Sequence, residues 1–202
     1  MARTYVTDAD RRAKAPRGTP SAIYQLEIRL LDVDPPIWRR LQVPAEMTLA
    51  RLHGVIQTAM GWEDSHLHLF EIGSVRYGVP DPDYELDLRD ERRISLRDLV
   101  AGTAGEFLYE YDFGDSWWHA IRVEEVLPAD PKERYPRCIG GARACPPEDA
   151  GGTSGYAELL RALDDPDHPE REEYLLWAGE DFDPEAFDAE AVDRSLRPRA
   201  RR

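Results

Sequence analysis

Two aspartates, Asp112 and Asp115, flank Gly114 in the string Tyr111-Asp112-Phe113-Gly114-Asp115-Ser116-Trp117, and His119 follows closely. Side chains converge at a glycine turn. Two carboxylates with an imidazole could hold a metal ion or exchange protons as general acid and base. The same residues have a plainer use. An aspartate in such a turn bonds its own backbone. His119 shares a strand face with Trp117, Ile121 and Val123, where it would be an interior histidine.

A second group lies in Cys138 to Gly152. Pro146 and Pro147 stiffen the chain ahead of Glu148 and Asp149, and Gly151 and Gly152 permit conformations other residues avoid. That composition fixes where the two carboxylates point, or it caps the helix that follows. Cys138 and Cys145 are separated more widely than zinc ligand pairs usually are. With His119 and a carboxylate they would complete four zinc or manganese ligands. Otherwise they are two ordinary thiols, or a pair able to oxidise. His66 and His68 alternate in a third group. On one strand they share a face and could chelate, or they form its exposed polar side.

The elements that must position these groups follow from periodicity. Tyr24, Leu26, Ile28 and Leu30 alternate with polar residues, which predicts a strand with one buried face. Asp34-Pro35-Pro36 turns the chain. Ile37, Leu41 and Val43 mark a second strand, whose face Arg39 interrupts. Leu49, Leu52, Ile56, Ala59 and Met60 recur at helical spacing between an N-capping Thr48 and a terminating Gly61. Strands are predicted for His66 to Ile72, Phe107 to Phe113 and Trp117 to Leu127, with a turn at Asp81-Pro82-Asp83 and a short helix from Ser95 through Val100. Residues 128–152 read as an irregular loop. Three helices close the chain: one from Thr153 with a Tyr156, Leu159, Leu160 and Leu163 stripe, one over Glu170 to Trp177, and one over Pro184 to Leu196. Strands first and helices last give an α+β fold with a mixed or antiparallel sheet.

Charge and composition bound the function. The formal net charge is −14, and residues 130–194 carry 18 acidic against 7 basic side chains. An acidic body repels phosphate backbones, which disfavours non-specific nucleic-acid binding by that body. The ends are basic, with Arg11, Arg12, Lys14 and Arg17 at one and Arg194, Arg197, Arg199, Arg201 and Arg202 at the other. They read as solvated tails, or as the part able to touch nucleic acid or acidic lipid. No apolar run approaches a membrane span, and no apolar stretch follows the basic N-terminus as it would in a secretory signal. Two cysteines are too few for a disulfide framework. The expectation is a cytoplasmic protein with a disordered leader over residues 1–20, a single domain over 21–196 and a basic tail over 197–202.

Several strings occur together in order: Pro36-Ile37-Trp38-Arg39-Arg40, Leu52-His53-Gly54-Val55-Ile56-Gln57, Met60-Gly61-Trp62, the Tyr111–Trp117 string, Cys145-Pro146-Pro147-Glu148-Asp149, Gly151-Gly152, Gly155-Tyr156 and Asp183-Pro184-Glu185. In this combination the chain resembles the Ri-plasmid open-reading-frame-three family, whose members include TnpR-like passenger proteins of insertion sequences. The resemblance spans roughly residues 22–196 and implies an α+β fold and an association with plasmid or mobile DNA. A resolvase would need a nucleophilic serine ringed by arginines. The serines are scattered along the chain, and no helix-turn-helix is evident.

Two functions remain. One is an accessory protein that binds an unidentified protein or small molecule through the Phe113–Ser116 turn and the Pro146–Gly152 loop. The other is a metal-dependent hydrolase or nuclease using Asp112, Asp115, His119, Glu148 and Asp149.

Overall fold

The computed structural model describes residues 22–80, 87–100, 105–179 and 181–197. The leader, the Asp81-Pro82-Asp83 turn and the tail beyond Arg197 lie outside these residues. The described residues form a mixed α+β fold, as the order of elements predicts. One sheet runs in the order β5-β4-β3-β6-β7-β1-β2-β8.

β1 (Ile23–Leu30) and β2 (Trp38–Pro44) make the first hairpin. Leu26, Ile28, Leu30, Leu41 and Val43 are buried on its inner face. On the outer face Arg40 reaches Glu124 at 2.6 Å and Glu27 at 3.4 Å. α1 (Leu49–Met60) follows, with Thr48 at its N-cap and Gly61 at φ 93° closing it. β3 (His68–Ile72), β4 (Val75–Gly78) and the two-residue β5 (Arg89–Asp90) form one edge of the sheet, with a 3-10 turn over Glu91–Arg93 and α2 (Leu96–Val100) behind them. β6 (Glu106–Tyr111) and β7 (Trp117–Leu127) pair across the glycine turn.

Arg39 faces the core rather than breaking the strand. Its side chain is 2% exposed. Nε donates to the carbonyl of Ala59 at 2.7 Å, and Nη1 donates to those of Trp38 and Ala142, both at 2.9 Å. The guanidinium therefore ties the last turn of α1 to the β2 edge of the sheet.

The irregular loop predicted over 128–152 contains a strand. β8 (Arg137–Ala142) pairs with β2. Gly140 and Gly141 hide it from a propensity reading. Gly141 has a packing reason: a Cβ there would stand 2.5 Å from the Phe187 ring and 2.8 Å from the Trp38 carbonyl. α3 (Gly152–Asp164), α4 (Arg171–Ala178) and α5 (Ala189–Leu196) complete the chain. α5 begins later than Pro184 because Asp188 caps it, accepting from the Ala191 amide at 2.9 Å. Among the described residues no helix is long and apolar enough to cross a membrane.

Candidate functional site

The site lies where three connections meet at one end of β3, β6 and β7: Gly61–Leu67, Asp112–Ser116 and Arg143–Gly151. Left-handed backbone marks all three. Asp64, Asp112, Ser116, Arg143 and Asp149 have φ between 56° and 67°. Aspartate tolerates this conformation better than most residues, since its side chain bonds locally. At Asp112 it stops β6 two residues short of the predicted end.

Asp112 Oδ1 accepts from the amides of Gly114 at 2.9 Å and Asp115 at 3.3 Å. This is the local turn bonding expected of such a residue. Its Oδ2 instead faces His66 Nε2 at 3.7 Å. Asp115 joins hairpin to connector, its Oδ2 accepting from the Gly151 amide at 3.0 Å. Gly152, at φ 68°, allows the approach, because a Cβ there would meet the Asp115 carbonyl at 2.8 Å. Gly152→Ala should therefore push the turn and the connector apart and destabilise the fold by about 2 kcal/mol. Urea denaturation measures this.

The connector is fixed on its other side too. The Trp62 indole donates to the Pro146 carbonyl at 2.9 Å, and its ring stacks on Tyr111 at 4.9 Å. Pro147 leads the chain from there to Glu148. Glu148 Oε1 accepts from the Glu63 amide at 2.8 Å and from the Tyr111 hydroxyl at 3.0 Å. Burial holds the Tyr111 phenol well above its ordinary pKa, so it stays a donor.

Three carboxylates converge on His66. Its Nε2 lies 3.3 Å from Asp149 Oδ1, 3.7 Å from Asp112 Oδ2 and 3.8 Å from Glu148 Oε2. That nitrogen is buried and makes no hydrogen bond. Ligand atoms of His66, Asp112 and Asp149 all fall within 4.8 Å of one another. Donors bound to one ion at about 2.1 Å stand roughly 3 to 4 Å apart, so the spacing suits a small divalent cation. Asp112 has one oxygen held by its turn and the other facing His66, as an oriented metal ligand does, whereas Glu148 Oε2 faces His66 while also lying 3.2 Å from the Tyr111 hydroxyl.

The sequence groups distribute differently from their order along the chain. His119 is fully buried opposite Tyr109 and does not join the carboxylates, because the hairpin register places it two residues into the core. Cys138, Cys145 and His119 form no ligand set: among the described residues the candidate metal groups contain none of them. Cys138 Sγ is directed to the Gly140 carbonyl at 3.5 Å. Cys145 lies 3.2 Å from Met60 Sδ and 3.6 Å from Arg39 Nη2, and burial pushes its thiol pKa up to about 11.

His66 and His68 do not chelate together. β3 starts only at His68, so His66 belongs to the preceding loop. His68 Nε2 meets Glu91 Oε2 at 2.9 Å, and its ring stacks on His53 at 3.4 Å with planes 5° apart. His53 bonds Asp64 through Nε2 at 2.7 Å and the Tyr109 hydroxyl through Nδ1 at 2.8 Å. His53, Asp64 and His68 are also close enough to hold an ion. Parallel rings argue against it, since an ion midway would sit half the ring separation out of each imidazole plane, off both lone pairs. Tyr111 and His66 are the site residues the sequence reading missed as partners of Glu148 and Asp112. The available signal was a phenol at the end of one strand and an imidazole two residues ahead of the strand that pairs with it.

The sequence profile of the family described as plasmid pRiA4b ORF-3-like protein matches residues 22–191. The chain belongs to the plasmid pRiA4b ORF-3-like family. This ORF-3-like chain is 40% identical over 178 residues to the uncharacterized protein y4hQ of Sinorhizobium fredii, covering 87% of this chain and 91% of that one. A crystal structure of MM3350, a protein of unknown function from Methanosarcina mazei, superposes with a TM-score of 0.80 at 41% identity. That match covers 86% of the ORF-3-like chain and 99% of the archaeal one.

Proposed function

We propose that this protein binds a divalent cation, manganese or zinc, through His66, Asp112, Glu148 and Asp149, and acts as an accessory binding protein of plasmid or other mobile DNA. The convergence of three carboxylates on one buried imidazole nitrogen without a hydrogen bond carries the reading. Among the described residues no arginine or lysine pairs with Asp112, Glu148 or Asp149, so a bound cation would relieve their mutual repulsion. Three oxygens with one imidazole nitrogen suit manganese or zinc. The association with mobile DNA, including kinship with insertion-sequence TnpR-like passengers, rests on the family name and the motif resemblance.

Chelator-treated protein should gain a melting temperature increment of about 5–10 °C in manganese or zinc at a hundredfold excess over Kd. His66→Ala and Asp112→Asn should abolish that gain. Asparagine keeps the left-handed turn, so the second variant separates ligand loss from misfolding. Protein with the same melting temperature in chelator and in both metals would end this reading.

A hydrolase or nuclease is the second reading. It draws on Glu148, whose carboxylate lies between a protonated phenol and the proposed ion and could deprotonate a water there. Metal-dependent cleavage of an activated phosphodiester, lost in Glu148→Gln even at metal concentrations that saturate the variant, would support it.

A further inference from the structure

α4 buries none of its residues, and Leu176 and Trp177 are 81% and 43% exposed. Between α4 and the connector lies a cavity of ≈ 300 Å³ lined by Asp149, Ala150, Glu170, Glu173, Tyr174 and Trp177. Glu170, Glu173, Tyr174 and Trp177 follow the i, i+3, i+4, i+7 spacing of a single helix face. That face carries two carboxylates and two aromatic rings, and Asp149 adds a third carboxylate from across the cleft.

The lining selects a ligand class. An anion is repelled by all three acids. A neutral apolar ligand would strip water from the carboxylates and offer them nothing. A bare metal ion has no use for the rings. Among the described residues no arginine, lysine or histidine lines the cavity to neutralise it from within. Partial burial, then the charges of Glu170, Glu158 and Glu173, raise the pKa of the Tyr174 phenol, in keeping with a negative potential at this wall. An organic cation satisfies every wall, since aromatic faces attract it as the carboxylates do.

We infer that the cleft between α4 and the Pro146–Gly151 connector binds an alkylammonium group, with Trp177 and Tyr174 against its carbon chain and Glu170, Glu173 and Asp149 around its charge. The ammonium comes from a lysine side chain of a peptide or from a free polyamine. Apart from sharing Asp149, this inference does not rest on the metal centre.

Calorimetric titration of the full chain in chelator tests it, with cadaverine, spermidine and a capped lysine tripeptide as probes and the Nε-acetylated tripeptide as the neutral control. At least one ammonium probe should bind saturably and the acetylated peptide should not. Affinity should fall about tenfold in Trp177→Ala and further in a Glu170→Gln, Glu173→Gln double variant. These positions are exposed, so circular dichroism should report unchanged folding. His66→Ala, which removes the proposed metal site, should bind the ammonium as the parent does, so the two readings fail separately. Binding by the peptide alone assigns a lysine side chain, and binding by the free amines alone assigns a polyamine. The inference is overturned by no saturable binding of any probe, by equal binding of the acetylated peptide, or by parental affinity in the α4 variants.

Discussion

Arg39→Ala is expected to destabilise the fold by about 4 kcal/mol, the largest effect of any single substitution on the inner face of the first hairpin. The guanidinium is 2% exposed and pairs with no carboxylate among the described residues; three carbonyls, those of Ala59, Trp38 and Ala142, receive its protons instead. Phe187 stacks on it at 4.2 Å, and the Cys145 thiol lies at 3.6 Å. Truncation leaves those carbonyls buried without donors and opens a cavity beneath Phe187. Burial lowers the pKa of the guanidinium from its ordinary value, but the group's intrinsic basicity keeps it charged at neutral pH.

Arg39→Lys separates the fork from the charge. A single ammonium cannot reach carbonyls on α1, β2 and β8 together, so lysine should recover only a minority of the loss. Arg39→Met restores volume without donors and should fall between alanine and arginine. Urea denaturation of the three variants orders them. If methionine matched the parent, packing rather than hydrogen bonding would explain the residue.

Arg39 also shows where reading residues one at a time runs out. Alternation along β1 and β2 gave their inner face correctly, and capping chemistry at Thr48 and Gly61 gave α1 to the residue. In that pattern Arg39 is an interruption. Its role exists only once the end of α1 and the bulged edge against β8 are in place, both set by contacts distant along the chain. β8 was illegible for the opposite reason: its glycines lack strand propensity, and the ring of Phe187, more than forty residues later, is what demands one of them.

The candidate site was legible as two segments but not as a ligand set. The glycine turn and the proline-rich connector do meet, through Asp115 and Gly151. Which imidazole joins them was decided by register. His119 lies nearer in sequence, yet pairing with Tyr109 carries it into the core. His66 comes from a different loop, brought in because Tyr111 receives the Ser65 amide at 3.0 Å. No local pattern in either segment encodes that choice.

Stability should fall by about 3 kcal/mol between pH 6.5 and pH 4 on account of His119 alone. Its ring is fully buried, with Trp62 edge-on at 5.3 Å and Tyr109 at 5.3 Å. Neither ring nitrogen makes a well-formed hydrogen bond, although backbone groups of Tyr109 and Trp117 lie near enough to favour the charged form. Burial outweighs them and, with a smaller contribution from the Arg39 charge, depresses the pKa from 6.5 to about 4. In that window the unfolded chain binds a proton that the folded one refuses. Stability is therefore complete above pH 6.5, declines as pH falls, and its loss is complete below about pH 4. His53, lowered by burial and by the stacked His68, adds to the decline with the same sign.

His119→Leu should remove most of the slope. It should also hold or raise stability at pH 7.5, because it replaces an unpartnered polar ring with an apolar side chain. Denaturant midpoints of parent and variant at half-unit intervals from pH 7.5 to 4 give the comparison. A variant whose pH profile runs parallel to the parent's would place the acid sensitivity elsewhere, in carboxylates such as Glu124 that Arg40 holds below their ordinary pKa.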